Sequence, residues 1–494
     1  MSGLMIVMML AMLDNTIISP ALPTITGDLG GMQHLAWVTT AYILGSTVSV
    51  PLWGKLGDIL PRKAVFMTSI SIFLIGSMLA GLSQSMNQLI AFRALQGIGA
   101  GDLMTGVMAS MAVLVPPRDR GKYTGYFMAV MPVSMIGGPL AGGWITDNIS
   151  WRWNFYVNLP VGLAAMIVLA RTMKLPPNKT RTAGFDWKGA TLSIFWITSA
   201  VLATSWAGTE YSWGSPVILG LFALAALGLA AFIRTELRAA EPVVPVRVFA
   251  IRNFALAASL RFMVGFTLFG AMTFLPQFQQ YVQGASATKS GLLMLPMMAG
   301  VVTMSLTSGR VVSKTGKYRL FPIAGSALII TGLSLLSLIR VDTGRVEAGV
   351  FMFILGLGMG CMFSTTQVIA QNSVPLSDIS SATATTSFMQ SIGGSLGISL
   401  FGALYAHTLA ADTGGRFANG LSVPPSELSK LPGSVVNAVQ HGITDGATNV
   451  FLVAALASVV GLIGSLFIKQ VTLRGSIPRQ ASAPEDSAMD VAHA

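Results

Sequence analysis

The decamer GKLGDILPRK, residues 54–63, has an echo 255 residues later in GRVVSKTGKY, residues 309–318, and the fold turns on that echo. Gly54 falls on Gly309 and Arg62 on Lys317. Further along, at an offset of 259, GAGDLM (99–104) falls on GMGCMF (358–363) and Val115-Pro116 on Val374-Pro375. At the same offset Gly138 and Gly143 fall on Gly397 and Gly402. Chance supplies one such match, but several in register point to a duplication. The apolar runs between the matches have the ~20-residue length that crosses a bilayer as a helix. Two such copies read as parallel repeats about an axis normal to the membrane.

Composition agrees. Hydrophobic residues make up 53% of the 494 and charged ones 10%, with a mean hydropathy of +0.68; a soluble domain carries about 25% charged residues. The chain therefore reads as an all-α integral membrane protein. Hydropathy places fourteen spans, near 4–26, 35–55, 64–83, 86–115, 122–147, 152–172, 187–207, 215–235, 253–277, 288–312, 320–340, 345–372, 384–410 and 446–468. The opening stretch has no basic n-region and a long apolar run, so it reads as a span and not as a signal peptide. Alternate loops carry most of the Lys and Arg, beginning with Lys55, Arg62 and Lys63, then Arg118, Arg120 and Lys122. The opposite loops have only Arg152, Lys289, Arg340, Arg345, Arg416 and Lys430. The basic side is cytoplasmic by the positive-inside rule, and an even number of spans puts both termini there.

The formal net charge of +11 then reflects topology, and nothing points to nucleic acid. One cysteine, Cys361, excludes a disulfide framework, and four scattered histidines show no ligand spacing, so no metal is expected. No G-x-x-x-x-G-K-[ST] occurs, which leaves no Walker-type ATPase, no cofactor and no enzyme reading. The expected organisation is a six-helix bundle (1–173), a linker with two inserted helices (174–252), a second six-helix bundle (253–470) and a disordered cytoplasmic tail (471–494). Residues 411–445 are expected to form a long external loop.

Against the apolar background four charges stand out. Asp14 interrupts the first span, where a carboxylate costs about 2.5–3.5 kcal/mol on insertion scales. Such a group is either neutralised by a partner or kept for a task. Arg93 lies about 10 Å into the fourth span from its outer end, and Asp14 is its natural partner. Behind it Gly97 and Gly101 form a G-x-x-x-G face for close helix approach. Asp102 lies nine residues from Arg93, about 180° around the helix, so the two should not pair directly. Its role is open between proton or substrate binding, structural pairing and an altered position. Arg261, two turns into the ninth span, reads first as a structural pair or a snorkelling side chain. The second half has no acid deep in a helix, so proton carriers are expected in the first. Asn15, Gln96, Asn158, Gln277, Gln367 and Gln390, with Arg261, are candidate substrate-cavity residues.

GKLGDILPRK resembles the loop signature of the major facilitator superfamily, G-x-L-x-D-x-x-G-R-K, with Gly54, Asp58, Arg62 and Lys63 in place. Pro61 stands where glycine is usual and Ile59 where a basic residue is usual. Asp58 can cap the following helix, while Arg62 and Lys63 hold the loop inside and bond helix ends. RALQGIGAG (93–101) resembles the superfamily's fourth-helix motif. GGPLAGG (137–143) resembles its antiporter signature, with Gly138, Pro139, Gly142 and Gly143. Together with LDNTIISPALP (13–23), WRWNFYVNLPVG (151–162) and FDWKG (185–189), these are similar to the fourteen-helix drug:proton antiporter branch. Asp102 and Arg261 depart from that pattern.

The resemblance implies two six-helix bundles plus two inserted helices, in the plasma (inner) membrane, acting as a monomer on a small amphipathic substrate. It also implies multidrug efflux driven by the proton gradient, with Asp14 as the proton-coupling carboxylate; Arg93 as its partner and Asp102, which lies outside the pattern, complete the candidate proton-coupling set. Burial disfavours a charged carboxyl and a nearby arginine favours it, so an approaching cation would expel a proton. A lipid or glycolipid exporter, and a non-transporting receptor or scaffold, are the alternatives.

Overall fold

The computed structural model describes residues 1–29, 35–173, 186–207, 211–239, 242–244, 246–285, 287–375, 378–412 and 432–473. The expected tail beyond 473, linker residues 174–185 and loop residues 413–431 lie outside that set. The described chain is helical throughout, with a single β-bridge, Ala207–Tyr211. The first helices are α1 (Ser2–Ile17), α2 (Leu22–Leu29), α3 (Leu35–Ile59), α4 (Arg62–Gly81), α5 (Met86–Leu114), α6 (Pro117–Met128), α7 (Val130–Asn148), α8 (Trp153–Tyr156) and α9 (Asn158–Thr172). An intermediate pair follows, α10 (Trp187–Trp206) and α11 (Pro216–Glu236). Then come α12 (Arg252–Tyr281), α13 (Ala287–Leu293), α14 (Leu295–Thr315), α15 (Leu320–Leu336), α16 (Arg345–Ser373), α17 (Ile379–Asp412) and α18 (Gly433–Leu466). Nine stretches among the described residues are helical, long and apolar enough to cross a bilayer.

Four expected spans are each interrupted by a lost helical hydrogen bond, while the linking residues Ile18, Ala129, Val157 and Met294 keep right-handed helical backbone. The interruptions share one cause. Proline has no amide proton, so the carbonyl four residues earlier loses its helical partner. Pro20 does this to Thr16, and α1 stops at Ile17 before a 3-10 turn at Ser19–Ala21. Pro132 does it to Met128, Pro160 to Tyr156 and Pro296 to Leu292; α6, α8 and α13 end at or one residue past those carbonyls. Hydropathy windows average over such breaks. A second correction concerns residues 433–445, expected in a loop, which open α18 instead. Val439, Ile443, Ala447 and Val450 are fully buried at three- and four-residue spacing, so this segment docks as an amphipathic helix.

Packing repeats between the earlier and the later helices. α5 lies against α3 and α4, and α1 against α7; later, α16 lies against α14 and α15, and α12 against α17. The two sets meet where α6 packs on α14 and α3 on α17. α10 and α11 pack together, and α10 touches both α3 and α17. Its Trp196 sits between Phe232 of α11 and Phe388 of α17, with ring separations of 6.2 and 5.4 Å.

Candidate functional site

Asp14 is fully buried, and three donors converge on it. Arg93 Nη1 donates to Oδ2 at 3.1 Å, while Gln96 Nε2 and Asn158 Nδ2 donate to Oδ1 at 2.8 and 2.6 Å. Arg93 lies one turn from Gln96 on α5, so a single helix face presents both, and Nη1 also donates to Gln96 Oε1 at 2.8 Å. The guanidinium stands 4.0 Å from the centre of the Tyr42 ring and donates from Nε to the Val38 carbonyl at 3.4 Å. Asn158 is tied to Ser77 Oγ of α4 at 3.0 Å, and Ser77 donates to the Phe155 carbonyl at 2.8 Å. Two buried charges thus satisfy one another within a hydrogen-bonded shell, the condition under which a buried ion pair persists.

The cluster depends on close helix approach. A Cβ on Gly97 would strike the Tyr42 carbonyl of α3, and one on Gly101 the Ser49 hydroxyl. From the other side α7 presents Gly138 to the Thr16 side chain and Gly142 to the Ile17 carbonyl of α1. Pro139 lies inside α7 and is exposed, and Gly143 has only Pro20 nearby, at 4.0 Å.

Asp102 does not pair with Arg93. It faces α4, where Ser69 Oγ donates to Oδ2 at 3.1 Å, and it receives Thr105 Oγ1 at 3.4 Å. Among the described residues no cation pairs with it. Arg261 neither meets Asp102 nor snorkels. It is buried and donates from Nη2 to Gln367 Oε1 at 2.6 Å. Gln277 and Gln390, half-buried on α12 and α17, have no described hydrogen bond to either cluster. The Asn15 side chain lies outside the described residues.

The decamer that opens the sequence forms a junction between the two sets of helices. Asp58 does not cap the helix that follows it; α4 begins at Arg62, after the N-cap residue Pro61, with no side-chain cap. It caps α17 instead. Its Oδ1 accepts from the Ser380 amide at 3.1 Å and its Oδ2 from the Ser381 amide at 2.8 Å, where the first turn of a helix leaves donors free. Arg62 bridges the same point, donating to Asp58 Oδ1 at 3.3 Å and to Ser380 Oγ at 3.0 Å. Gly54 lies against Ala384 of α17, too close for a Cβ. Lys63 donates to the Ala170 carbonyl near the end of α9 at 2.6 Å.

Motif reading missed a second junction beside it. Arg120, buried, donates to the carbonyls of Ala112 and Val115 at the end of α5 and reaches Gln371 Oε1 of α16 at 3.5 Å. Asp119 accepts from Ser313 of α14. No linear signal marks these partners, because the contacts join residues roughly two hundred or more apart.

Among the described residues no cluster of metal-ligating side chains occurs. The fold and the two junctions are those of a multi-pass α-helical membrane protein. The family model of the Major Facilitator Superfamily matches residues 4–398, and the chain belongs to that superfamily. It is similar to an uncharacterized MFS-type transporter of Mycobacterium tuberculosis, 39% identical over 97% of this chain and 72% of the relative. It is similar also to the multidrug transporter protein MdtP of Bacillus subtilis, 35% identical over 99% of this chain and 96% of the relative. The multidrug resistance protein 3 of the same organism is 35% identical, over 96% and 95%. The crystal structure of the human organic anion transporter MFSD10 shares the fold, with a TM-score of 0.63 at 12% identity, over 92% of this chain and 98% of that one.

Proposed function

We propose that the chain is a proton-coupled exporter of amphipathic, cationic drugs or toxic metabolites. The names of the two Bacillus subtilis relatives support efflux. Proton coupling rests on one observation, the fully buried Asp14 held by Arg93, Gln96 and Asn158. In this reading fourteen spans cross the plasma (inner) membrane as two bundles of six, 1–173 and 253–470, with α10 and α11 inserted. Both termini are cytoplasmic with the basic loops, and the monomer is the working unit.

An ionised Asp14 satisfies three donors; a proton on it frees Arg93. A substrate cation and a proton therefore compete for one carboxylate, and binding one expels the other. Asp102 belongs to the same route in this reading. Ser69 also donates to the Phe66 carbonyl at 2.8 Å and Thr105 to the Gly101 carbonyl at 2.9 Å. Each hydroxyl has one proton. A hydroxyl spent on its helix carbonyl can meet Asp102 only by accepting a carboxyl proton, and a protonated Asp102 has one to give, to Ser69 or to Thr105 but not to both. The junction of Asp58 and Arg62 with α17 closes the cytoplasmic end, and substrate entry from the cytoplasm requires it to part.

The test is proton release from proteoliposomes on addition of ethidium. The wild type is expected to release protons, and Asp14→Asn to release none and to bind ethidium more weakly. Full proton-coupled exchange by Asp14→Asn overturns the assignment.

A further inference from the structure

We infer that Arg261 and Gln367 form a binding site for a single-charged anionic group, a carboxylate or sulfonate, on an amphipathic substrate. The inference rests on the exporter reading and refines its substrate class toward compounds that carry such a group, zwitterions included.

Arg261 lies nine residues into α12, about 13 Å from its start, and is 6% exposed. No described carboxylate pairs with it. Its neighbours come from α16, where Phe363 and Gln367 are one turn apart and share a face. Gln367 Oε1 takes the Nη2 proton at 2.6 Å, and the Phe363 ring centre lies 5.4 Å from the guanidinium carbon. This leaves Arg261 Nε and Gln367 Nε2, both buried and both without a hydrogen-bond partner among the described residues. The two orphaned atoms are donors, and they belong to residues already joined by a hydrogen bond.

Donors of this kind are costly to bury unmatched. Among the described residues no acceptor meets either atom, so the matching acceptor is one that a ligand can bring. It must be an acceptor without a donor of its own, and it must offset one positive charge. A carboxylate or a sulfonate meets both conditions, and its oxygens fit the planar guanidinium edge. A phosphomonoester, doubly charged near neutral pH, would need a second cation that the described neighbourhood does not supply. Phe363 beside the guanidinium favours an apolar or aromatic body on the same ligand.

The Asp14 cluster differs in kind. There Arg93, Gln96 and Asn158 all donate to a carboxylate of the chain itself, and the orphaned atom, Asn158 Oδ1, is an acceptor. Two sites of opposite sign, one in each set of helices, suit a substrate with charges of both signs.

The experiment uses the full-length protein in nanodiscs and fluorescence titration with naphthalene-2-carboxylate, naphthalene-2-sulfonate and naphthalene-2-carboxamide. The wild type is expected to bind the two anions at least about tenfold more tightly than the neutral amide, the effect of hydrogen bonds to a charged group. Arg261→Gln should erase that preference and Gln367→Leu should reduce it several-fold. Equal affinity for the anions and the amide in the wild type overturns the site, and this comparison needs no variant to fold. Survival of the preference in Arg261→Gln overturns it as well. Ethidium-driven proton release, measured in parallel, separates the two readings. Loss of proton release with the anion preference intact refutes the exporter and leaves the site standing; the reverse outcome refutes the site alone.

Discussion

Asp58→Ala tests whether the carboxylate closing the basic end is an energetic lock. Asp58 accepts two amide hydrogens from the first turn of α17 and one contact from Arg62. The side chains of Arg62 and Asp58 are only 12% and 8% exposed, so solvent screens them little. A hydrogen bond to a charged group contributes about 1.5–3 kcal/mol, but water replaces part of it when the end opens. About 3 kcal/mol for the three contacts together shifts the open-to-closed ratio by about two orders of magnitude. Asp58→Asn keeps one acceptor oxygen and remains a competent helix cap, so it should cost about 1 kcal/mol, several-fold in the same ratio. Hydrogen exchange at the Ser380 and Ser381 amides reads the opening directly, because those protons are protected only while Asp58 holds them. The expected order of exchange is Asp58→Ala fastest, then Asp58→Asn, then wild type. If residues 379–383 exchange at the wild-type rate in Asp58→Ala, the lock carries no free energy and the reasoning fails.

Arg93→Gln strands the Asp14 carboxylate in the core, and breaking a buried pair from one side costs about 3–5 kcal/mol. The double variant Asp14→Asn/Arg93→Gln should recover much of that loss in thermal unfolding; equal destabilisation of the two would show that the pair is not coupled. Asp102→Asn, nearly isosteric, should keep ethidium affinity while lowering the number of protons moved per substrate, and an unchanged ratio removes Asp102 from the proton route. Gly97→Val forces methyl groups into the Tyr42 carbonyl, and overpacking of this kind costs about 1–3 kcal/mol. It should lower the unfolding temperature and loosen the α3–α5 contact, and wild-type stability would contradict the close packing.

Much of the fold was legible because the bilayer constrains it so tightly. Apolar runs long enough to span stand out from polar loops. Asp14 and Arg93 were readable as partners because each would be costly alone in hydrocarbon. The proline breaks were present in the sequence but invisible to averages over a whole span, and the start of α18 was hidden by its glycines and polar residues. What the sequence did not reveal was the address of each contact. Asp58 looked like a cap for its own next helix, and only the packing of α3 on α17 brings it to Ser380 and Ser381. Gln96 and Asn158 looked like independent cavity ligands, yet both donate to Asp14. The type of chemistry was local, while the partners were set by a fold that joins residues far apart in the chain.

That separation bears on how a proton at Asp14 could be felt at the basic end. α3 carries Tyr42 beneath Arg93 at one end and Asp58 at the other, sixteen residues away, or about 24 Å of helix. α5 carries Arg93 and Gln96 near its start, and at its finish the carbonyls that Arg120 ties toward Gln371. The two helices approach too closely at Gly97 and Gly101 for any side chain to intervene. They can therefore tilt together, but they cannot slide apart without losing contact along their length. In the proposed coupling, a change at Asp14 that frees Arg93 would act on this pair as a unit, and the unit ends at both junctions with the second set of helices. Substitutions along α3 and α5 that replace none of the charged residues, Gly97→Val among them, should then weaken the coupling of proton to substrate more than they weaken the binding of either.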